Sequence, residues 1–312
     1  MSVRRVIFID SVHPILFEKL QASGFDCEWQ TELKRDEIFA CIKDYEGAVI
    51  RSKFKFDKEM LDAADNLNWI ARSGAGMENI DVEYAKQKGI ACFNSPEGNR
   101  DAVAEHAIGM LLMLFNNLKR GDAEVRLGQW KREANRGVEL KGKTVGILGY
   151  GYMGAAFAQR LRGFDVRVIA YDKYKKNFGN EYVEEVDEAT LFAESDVLSI
   201  HLPLTEETTF LIDKTYLSKF QKPIYLINTA RGKNLKTSDL LGAIDSDKVL
   251  GACLDVLEYE SLSFEKLRSE DLPTDFQKLA QSDKVILSPH IAGWTVESYE
   301  KLSAVLAEKI LG

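Results

Sequence analysis

No stretch of this 312-residue chain is apolar for long enough to cross a bilayer. The most apolar run, Ala107 to Phe115, is less than half the length a membrane span requires. The opening segment, MSVRRVIFID, is too short in its apolar part to be a signal peptide. Cysteine is scarce: Cys27, Cys41, Cys92 and Cys253 form no C-x-x-C pair, and each lies in or beside an apolar segment. A disulfide framework and a cysteine metal site are thereby disfavoured, and buried free thiols in a reducing cytoplasm are expected. Basic charge is also lacking, since the net charge is −8 and the pI about 5.3. A general nucleic-acid or membrane surface is excluded on that ground, and any anion site must draw on local cations. Repeats and low-complexity tracts are absent.

What is present is alternation. Apolar strand-like runs Val6–Ile9, Phe25–Trp29, Gly47–Ile50, Leu67–Ala71 and Ile90–Phe93 alternate with helical segments Pro14–Ala22, Arg35–Ile42 and Lys58–Ala64. The pattern resumes after residue 143 with strands at Val145–Leu148, Val166–Tyr171, Asp196–Ile200, Ile224–Ile227, Val249–Leu254 and Val285–Leu287. That order predicts an α/β fold of two doubly wound parallel sheets. A polar, turn-rich break at Asn94–Asn99 is read as a domain boundary, followed by a helix over Asp101–Lys119. His106 on that helix is read as a structural, hydrogen-bonded residue. Gly121–Leu140 is polar and poorly periodic, with Trp130 expected to be exposed. A helix over Ser238–Ile244 is expected to be capped by Ser238, and Glu297–Leu311 to form a final helix.

The organising stretch is Lys143–Asp172. Its first strand leads into Gly149, Gly151 and Gly154 in G-x-G-x-x-G spacing, then a helix, a second strand and Asp172. Gly149 permits the sharp turn, Gly151 the approach of a pyrophosphate, and Gly154 close helix–strand packing. Asp172 lies 172 − 154 = 18 positions beyond the last glycine, where a carboxylate accepts from the adenosine ribose hydroxyls and disfavours a 2′-phosphate. NAD is the expected cofactor. Lys173, Lys175 and Lys176 follow at once and weaken that preference.

Polar residues recur just past the apolar strands: Asp172, His201, Arg231, Asp255 and His290. In an open α/β sheet such positions line one crevice. Hydride exchange between a nicotinamide and a 2-hydroxy or 2-keto acid needs a cation for the substrate carboxylate, an acid–base group and a carboxylate to hold it. Arg231, His290 and Glu260 supply those types. Read singly, each has a plainer role: a salt-bridge partner, a loop histidine, a solvated acid.

Taken together, RSGAGMENID (72–81), GILGYGYMG (146–154), HLPLTEETTFLI (201–212), INTARG (227–232), GACLDVLEYE (251–260) and SPHIAG (288–293) resemble the D-isomer-specific 2-hydroxyacid dehydrogenases over nearly the whole chain. The resemblance implies Arg231 as the carboxylate-binding arginine, His290 as acid/base and Glu260 as its support. It places cofactor contacts at Gly149, Gly151, Tyr152, Met153, Gly154, Asp172, His201, Leu202, Pro203, Thr208, Thr229, Ala230 and Asp255. It implies a Rossmann-type dinucleotide domain over 96–290 inserted into a discontinuous flavodoxin-like substrate domain, 1–95 plus 291–312, with cofactor between them. It also implies a homodimer, with the helix from Asp101 forming much of the contact. No metal, nucleic acid or membrane is implied.

Within the family the chain is most similar to the D-3-phosphoglycerate dehydrogenases, which act in serine biosynthesis. That likeness implies substrate contacts at Arg51, Ser52, Lys53, Gly74, Ala75, Gly76, Asn99 and Arg132. The chain ends soon after His290, so a short form without the serine-sensing regulatory domain of longer relatives is expected. Ser261 in place of proline, the acidic loop to Pro273, Lys233, Lys236 and Trp294 depart from the family pattern and bear on substrate identity. Reduction of pyruvate, hydroxypyruvate or glyoxylate, or an NAD-binding regulator without turnover, are the alternatives.

Overall fold

The computed structural model describes residues 4–260 and 272–312. Ser261 and the acidic segment through residue 271 lie outside the described residues. The chain forms two compact units, 1–100 with 294–312, and 101–293.

In the first unit, β1 (Arg4–Phe8), β2 (Phe25–Trp29), β3 (Gly47–Ile50), β4 (Trp69–Arg72) and β5 (Ala91–Asn94) form a parallel sheet in the order β2-β1-β3-β4-β5. The connecting helices are α1 (Pro14–Ala22), α2 (Arg35–Cys41), α3 (Lys58–Asp62) and α4 (Val82–Gln87). Strand residues alternate between faces, which explains the two cores. Ile7, Ile9, Ala48, Ile50 and Ile70 pack with Ile38 of α2, Met60 of α3 and Ala85 of α4. Val6, Phe8, Val49 and Ala71 pack with Leu16 and Leu20 of α1 and with Leu306 of the C-terminal helix, Val296–Leu311. Burial of both faces leaves no polar alternation along β3 and β4, so the sequence shows them as short apolar runs, whereas edge strand β2 exposes Asp26. The order 2-1-3-4-5 is the flavodoxin-like one, and its switch point falls between β1 and β3.

The second unit holds β6 (Thr144–Leu148), β7 (Arg167–Tyr171), β8 (Glu184–Glu185), β9 (Val197–Ile200), β10 (Ile224–Asn228), β11 (Val249–Leu254) and β12 (Val285–Leu287). All described pairings are parallel, in the order β12-β11-β10-β9-β6-β7-β8. This is the dinucleotide-binding order, extended by one strand, with its switch point between β6 and β9. Its helices are α5 (Pro96–Phe115, whose first five residues belong to the first unit), α6 (Leu118–Arg126), α7 (Tyr152–Arg160), α8 (Glu188–Glu194), α9 (Lys214–Ser218), α10 (Thr237–Asp245) and α11 (Thr274–Gln281). Val145, Ile147, Val168 and Ile227 pack with Ala107 and Leu111 of α5 and Phe157 of α7 on one face. Leu148, Ile200, Leu226 and Leu254 pack with Leu191, Leu217, Leu240 and Leu279 of α8 to α11 on the other.

Several elements differ from the sequence reading. The break at Asn94–Asn99 is mostly the first turn of α5, which starts at Pro96. Proline suits a first helical position because its missing N–H has no partner there, and Glu97 suits the positive end of the helix dipole. The expected helix to Lys119 is two helices, because Asn117 takes a left-handed conformation with φ of 51°. α6 buries no residue, so it shows no core-facing period in the sequence. α10 starts one residue early and Ser238 is not its cap; the Thr237 N–H instead donates to Glu258 Oε2 at 3.2 Å. α4, α8, α11 and the two-residue β8 are short and were not anticipated. No described helix is long and apolar enough to cross a membrane, and the described residues hold no group of three potential metal ligands.

Candidate active site

Because every strand of the second sheet runs the same way, the residues that follow them all emerge at one edge. After β6 the chain turns at Gly149, whose φ of 93° favours glycine. A side chain on Gly154 would lie 2.3 Å from the Gly149 carbonyl oxygen, so α7 can approach the strand only with glycine there. Gly151 caps α7 with extended backbone, no side-chain hydrogen bond and open space where a Cβ would stand. The first-turn N–H groups of α7 are thus left for an anion. Tyr152 and Met153 form that first turn.

After β7, Asp172 Oδ2 accepts the Tyr150 N–H at 2.8 Å, which ties the acid to the glycine turn. Its Oδ1 accepts from Tyr174 at 2.9 Å and Lys175 at 2.8 Å. Burial opposes ionisation of Asp172, and the three backbone donors overcome it, so its carboxyl lies below the ordinary range. Oδ2 keeps one acceptor position for a ribose hydroxyl. The neighbouring lysines are engaged: Lys173 pairs with Glu207, Lys175 reaches the Tyr150 carbonyl, and Lys176 reaches the Asp172 carbonyl. Glu207 was not singled out from the sequence, yet it places a second carboxylate beside this strand end.

His201 follows β9. Burial pushes its imidazole down to about 4, and Nε2 lies 2.8 Å from Ser199 Oγ. It is a neutral ring at physiological pH, unsuited to acid–base exchange there. The loop beyond it, Leu202–Thr208, is closed by Thr208 Oγ1 donating to the Pro203 carbonyl at 2.6 Å. Asn234 donates from outside the loop to the carbonyls of Pro203 and Thr208, both at 3.2 Å.

After β10, Asn228 clamps the turn that carries Thr229, Ala230 and Arg231. Its amide donates to the Arg231 carbonyl at 3.0 Å and its Oδ1 accepts the Ala230 N–H at 3.1 Å. Thr229 is 9% exposed, and its hydroxyl is buried with no hydrogen-bond partner among the described residues. A buried hydroxyl without a partner is costly, which marks a position for a ligand's polar group. The Arg231 Nη1 donates to the Ala230 carbonyl at 2.7 Å. A Cβ on Gly232 would lie 2.0 Å from the Leu257 backbone, so its absence lets the Arg231 turn pack against the loop leading to Glu260.

After β11, Asp255 is 1% exposed and acts as a post. Its Oδ1 accepts the Ile291 N–H at 2.9 Å and the Ser288 hydroxyl at 2.6 Å, and its Oδ2 accepts the Ala292 N–H at 2.8 Å. Its carbonyl accepts the His290 N–H at 2.8 Å, and Leu254 accepts that of Ser288 at 3.1 Å. The turn after β12 is therefore held donor by donor. It forces His290 into a left-handed conformation with φ of 55°, uncommon for a residue with a side chain. The His290 Nδ1 lies 2.8 Å from Glu260 Oε2, while Glu260 Oε1 accepts the Leu257 N–H at 2.5 Å. Glu260 is thus braced on its own loop and presents its other oxygen to the imidazole. β10, β11 and β12 are successive in the sheet, so the turns bearing Arg231, Asp255 and His290 begin about 4.8 Å apart from strand to strand.

The first unit has a corresponding edge. At its switch point Asp10 Oδ2 accepts the N–H groups of Arg51, Ser52 and Lys53 at 2.6, 3.0 and 3.2 Å. The Arg51 guanidinium lies 4.3 Å from the Trp294 ring centroid and donates to the Ser11 carbonyl at 3.2 Å. The Lys53 ammonium donates to the Thr31 carbonyl. Gly74, Ala75 and Gly76 follow β4; Asn94 donates to the Ala75 carbonyl at 2.6 Å, and the Ser95 N–H to that of Gly74 at 2.9 Å. Asn99 lies in the first turn of α5, with a buried Oδ1 that has no partner among the described residues. Arg132, in the second unit, is exposed on the segment after α6. Asp10, Asn228, Asn234 and Ser288 escaped the sequence reading as site residues. Their only signal is position, at or just past a strand end or inside a recognised motif.

A glycine turn with free helix donors, an ionised acid after the second strand and an orphan hydroxyl define a dinucleotide-binding α/β protein, with an imidazole–carboxylate pair at its strand ends. A family model for the D-isomer specific 2-hydroxyacid dehydrogenase NAD binding domain matches residues 108–292. The chain is 35% identical over 309 residues to a D-3-phosphoglycerate dehydrogenase of Archaeoglobus fulgidus, covering 98% of this chain and 56% of that relative. It is 38% identical over 280 residues to a hydroxypyruvate reductase of Thermotoga maritima, covering 89% of this chain and 88% of the relative. A solved D-lactate dehydrogenase from Aquifex aeolicus, in complex with NAD and lactic acid, aligns with a TM-score of 0.82 at 28% identity, over 98% of this chain and 94% of that one. The chain spans about half the length of the phosphoglycerate dehydrogenase relative. It belongs to the D-isomer-specific 2-hydroxyacid dehydrogenase family, with NAD as its cofactor.

Proposed function

We propose that the protein is an NAD-dependent D-2-hydroxyacid dehydrogenase, and that its substrate pair is D-3-phosphoglycerate and 3-phosphohydroxypyruvate. The observation that carries the reaction type is the Glu260–His290 pair, 2.8 Å apart on a turn whose backbone donors are all engaged. The bound cofactor supplies the hydride acceptor in oxidation and the donor in reduction. His290 takes the hydroxyl proton in one direction and returns it in the other through Nε2, because Glu260 engages Nδ1. The Glu260 carboxylate holds Nδ1 and so keeps the ring oriented for that exchange. Arg231 grips the substrate carboxylate through its planar fork and orients the reacting carbon. In the first unit, the Gly74–Gly76 loop carries backbone donors of the kind that receive a carboxylate. Arg51, Ser52, Lys53 and Asn99 of the first unit are the proposed phosphate contacts.

A second substrate reading has its own observation. Arg51 is stacked on Trp294 and Lys53 is bound to the Thr31 carbonyl, so both cations already have partners. That favours an unphosphorylated 2-keto acid such as hydroxypyruvate, the substrate in the name of the Thermotoga maritima relative. The deciding experiment is a panel of 3-phosphohydroxypyruvate, hydroxypyruvate, glyoxylate and pyruvate with NADH and NADPH, followed at 340 nm. Highest kcat/KM for the phosphorylated acid supports the first reading, and preference for hydroxypyruvate the second. Tight NAD binding with no turnover of any acid overturns both and favours a regulator.

We further propose a cytoplasmic homodimer. Met113, Leu118, Val125, Leu127, Trp130 and Val138 are all exposed within one short span of chain, apolar surface of the kind that a second copy would cover. Light scattering that gave a monomer at micromolar concentration would overturn it.

A further inference from the structure

The imidazole of His290 has a second imidazole behind it. His106 stands on α5, and its Nε2 lies 2.9 Å from Ser288 Oγ. That hydroxyl donates to Asp255 Oδ1 at 2.6 Å, and His106 Nε2 is itself 3.6 Å from the same oxygen. Asp255 is the buried post that receives the N–H groups of the His290 turn. His106 is therefore two side-chain hydrogen bonds away from the backbone that holds His290 in its left-handed conformation.

The donors and acceptors decide the direction of this chain of bonds. A serine hydroxyl has one proton and two lone pairs. Around Ser288 Oγ are Asp255 Oδ1 at 2.6 Å, His106 Nε2 at 2.9 Å and the Met110 sulfur at 3.5 Å. The carboxylate and the thioether only accept. Charge and distance give the proton to the carboxylate. The bond to His106 then requires Nε2–H as donor, which sets that ring's protonated nitrogen. His106 and Met110 are four residues apart, so they share one face of α5. Donation from His106 satisfies the Ser288 oxygen and polarises its O–H towards the carboxylate, so loss of that donor weakens the bond Ser288 makes to Asp255. A buried carboxylate with one weakened donor holds its turn less firmly.

We infer that His106 is a positioning residue for the acid–base centre, acting through Ser288 and Asp255 on the turn that bears His290. The inference rests on the proposed role of His290. A residue that only packs α5 against the sheet would share the location but not the directional bonding.

The test uses the full chain with NADH and the best keto acid of the panel. His106→Leu, which fills the space and donates nothing, lowers kcat about tenfold and leaves the KM for NADH unchanged. His106→Gln, whose amide can donate to Ser288, recovers to within about threefold of the parent. Ser288→Ala alone gives a loss similar to His106→Leu, and the double variant loses no more than either single one. The chain has only four histidines, so their ring-nitrogen NMR signals are separable. The His290 signals shift in His106→Leu and return in His106→Gln. Additive losses, a Gln variant as impaired as Leu, or unmoved His290 signals would each overturn the inference. If the parent turns over no keto acid, the dehydrogenase reading fails, and the NMR arm still decides whether His106 acts on His290.

Discussion

The two sheets invite comparison at their C-terminal edges, where each has an aspartate that absorbs the backbone donors of a neighbouring turn. In the first unit Asp10 takes three N–H groups from Arg51, Ser52 and Lys53 onto one oxygen. In the second, Asp255 takes the donors of Ile291, Ala292 and Ser288 on two oxygens, and that of His290 on its carbonyl. Asp10 is half-buried and its turn carries cations; Asp255 is almost fully buried and its turn carries an imidazole. The same device gives different functions because of what else is present. Beside the His290 turn a second carboxylate, Glu260, holds the ring, whereas the Arg51 turn is held by stacking and main-chain carbonyls. On the proposed reading, one edge serves proton exchange and the other receives an anion.

The largest test of that contrast is His290→Ala, which should lower kcat by about 10²–10⁴-fold in the second unit's acid–base role. A comparable loss from Arg51→Ala would erase the distinction, since a binding cation should act mainly on KM. Arg231→Ala, which removes the proposed carboxylate fork beside the acid–base pair, should raise KM and lower kcat together.

Next comes stability. Asp255→Ala orphans several buried donors, each worth about 1–3 kcal/mol, and should cost about 3 kcal/mol or more in urea unfolding. Asp10→Ala frees donors closer to water and should cost less than half as much; equal costs would mean that the two posts are equivalent.

Asp172→Asn removes the charge and turns one of the two acceptor oxygens into a donor. It should weaken NAD binding about tenfold and narrow the gap to NADP, measured by fluorescence titration.

The smallest effect concerns His201. In the fold its ring stays neutral down to about 4, whereas the unfolded chain protonates from about 6.5. Its contribution to stability is complete above the unfolded value and is lost as pH falls from there through 4. Between pH 7 and 5.5 that amounts to about 1 kcal/mol, and His201→Asn should remove this part of the acid sensitivity of Tm.

Much of this was legible in the chain. β3, β11 and β12 fall on the residues that the apolar runs marked, because strands buried on both faces appear as compact apolar blocks, and α1 falls on its helical segment. The glycine turn and Asp172 were readable because their spacing is dictated by a strand, a tight turn and a helix in fixed succession. His106 shows the limit. Its helical period places it on α5, but its partner Ser288 is 182 residues away. Nothing local to either residue announces the bond. α6 was hidden for a different reason: with no buried residue it has no core-facing apolar stripe.

The sequence by itself determined the alternation of strands and helices, the cofactor turn, and the residue types needed for hydride chemistry. These depend on local covalent geometry and hydrophobic period, which the chain carries residue by residue. Tertiary structure alone decided which oxygens and protons meet. Glu260 reaches His290, and Asp255 holds its turn, because β11 and β12 lie side by side and the tight packing at Gly232 brings the intervening loop home. Those are long-range bonds, set by sheet order and burial, and neither is written in any short stretch of chain.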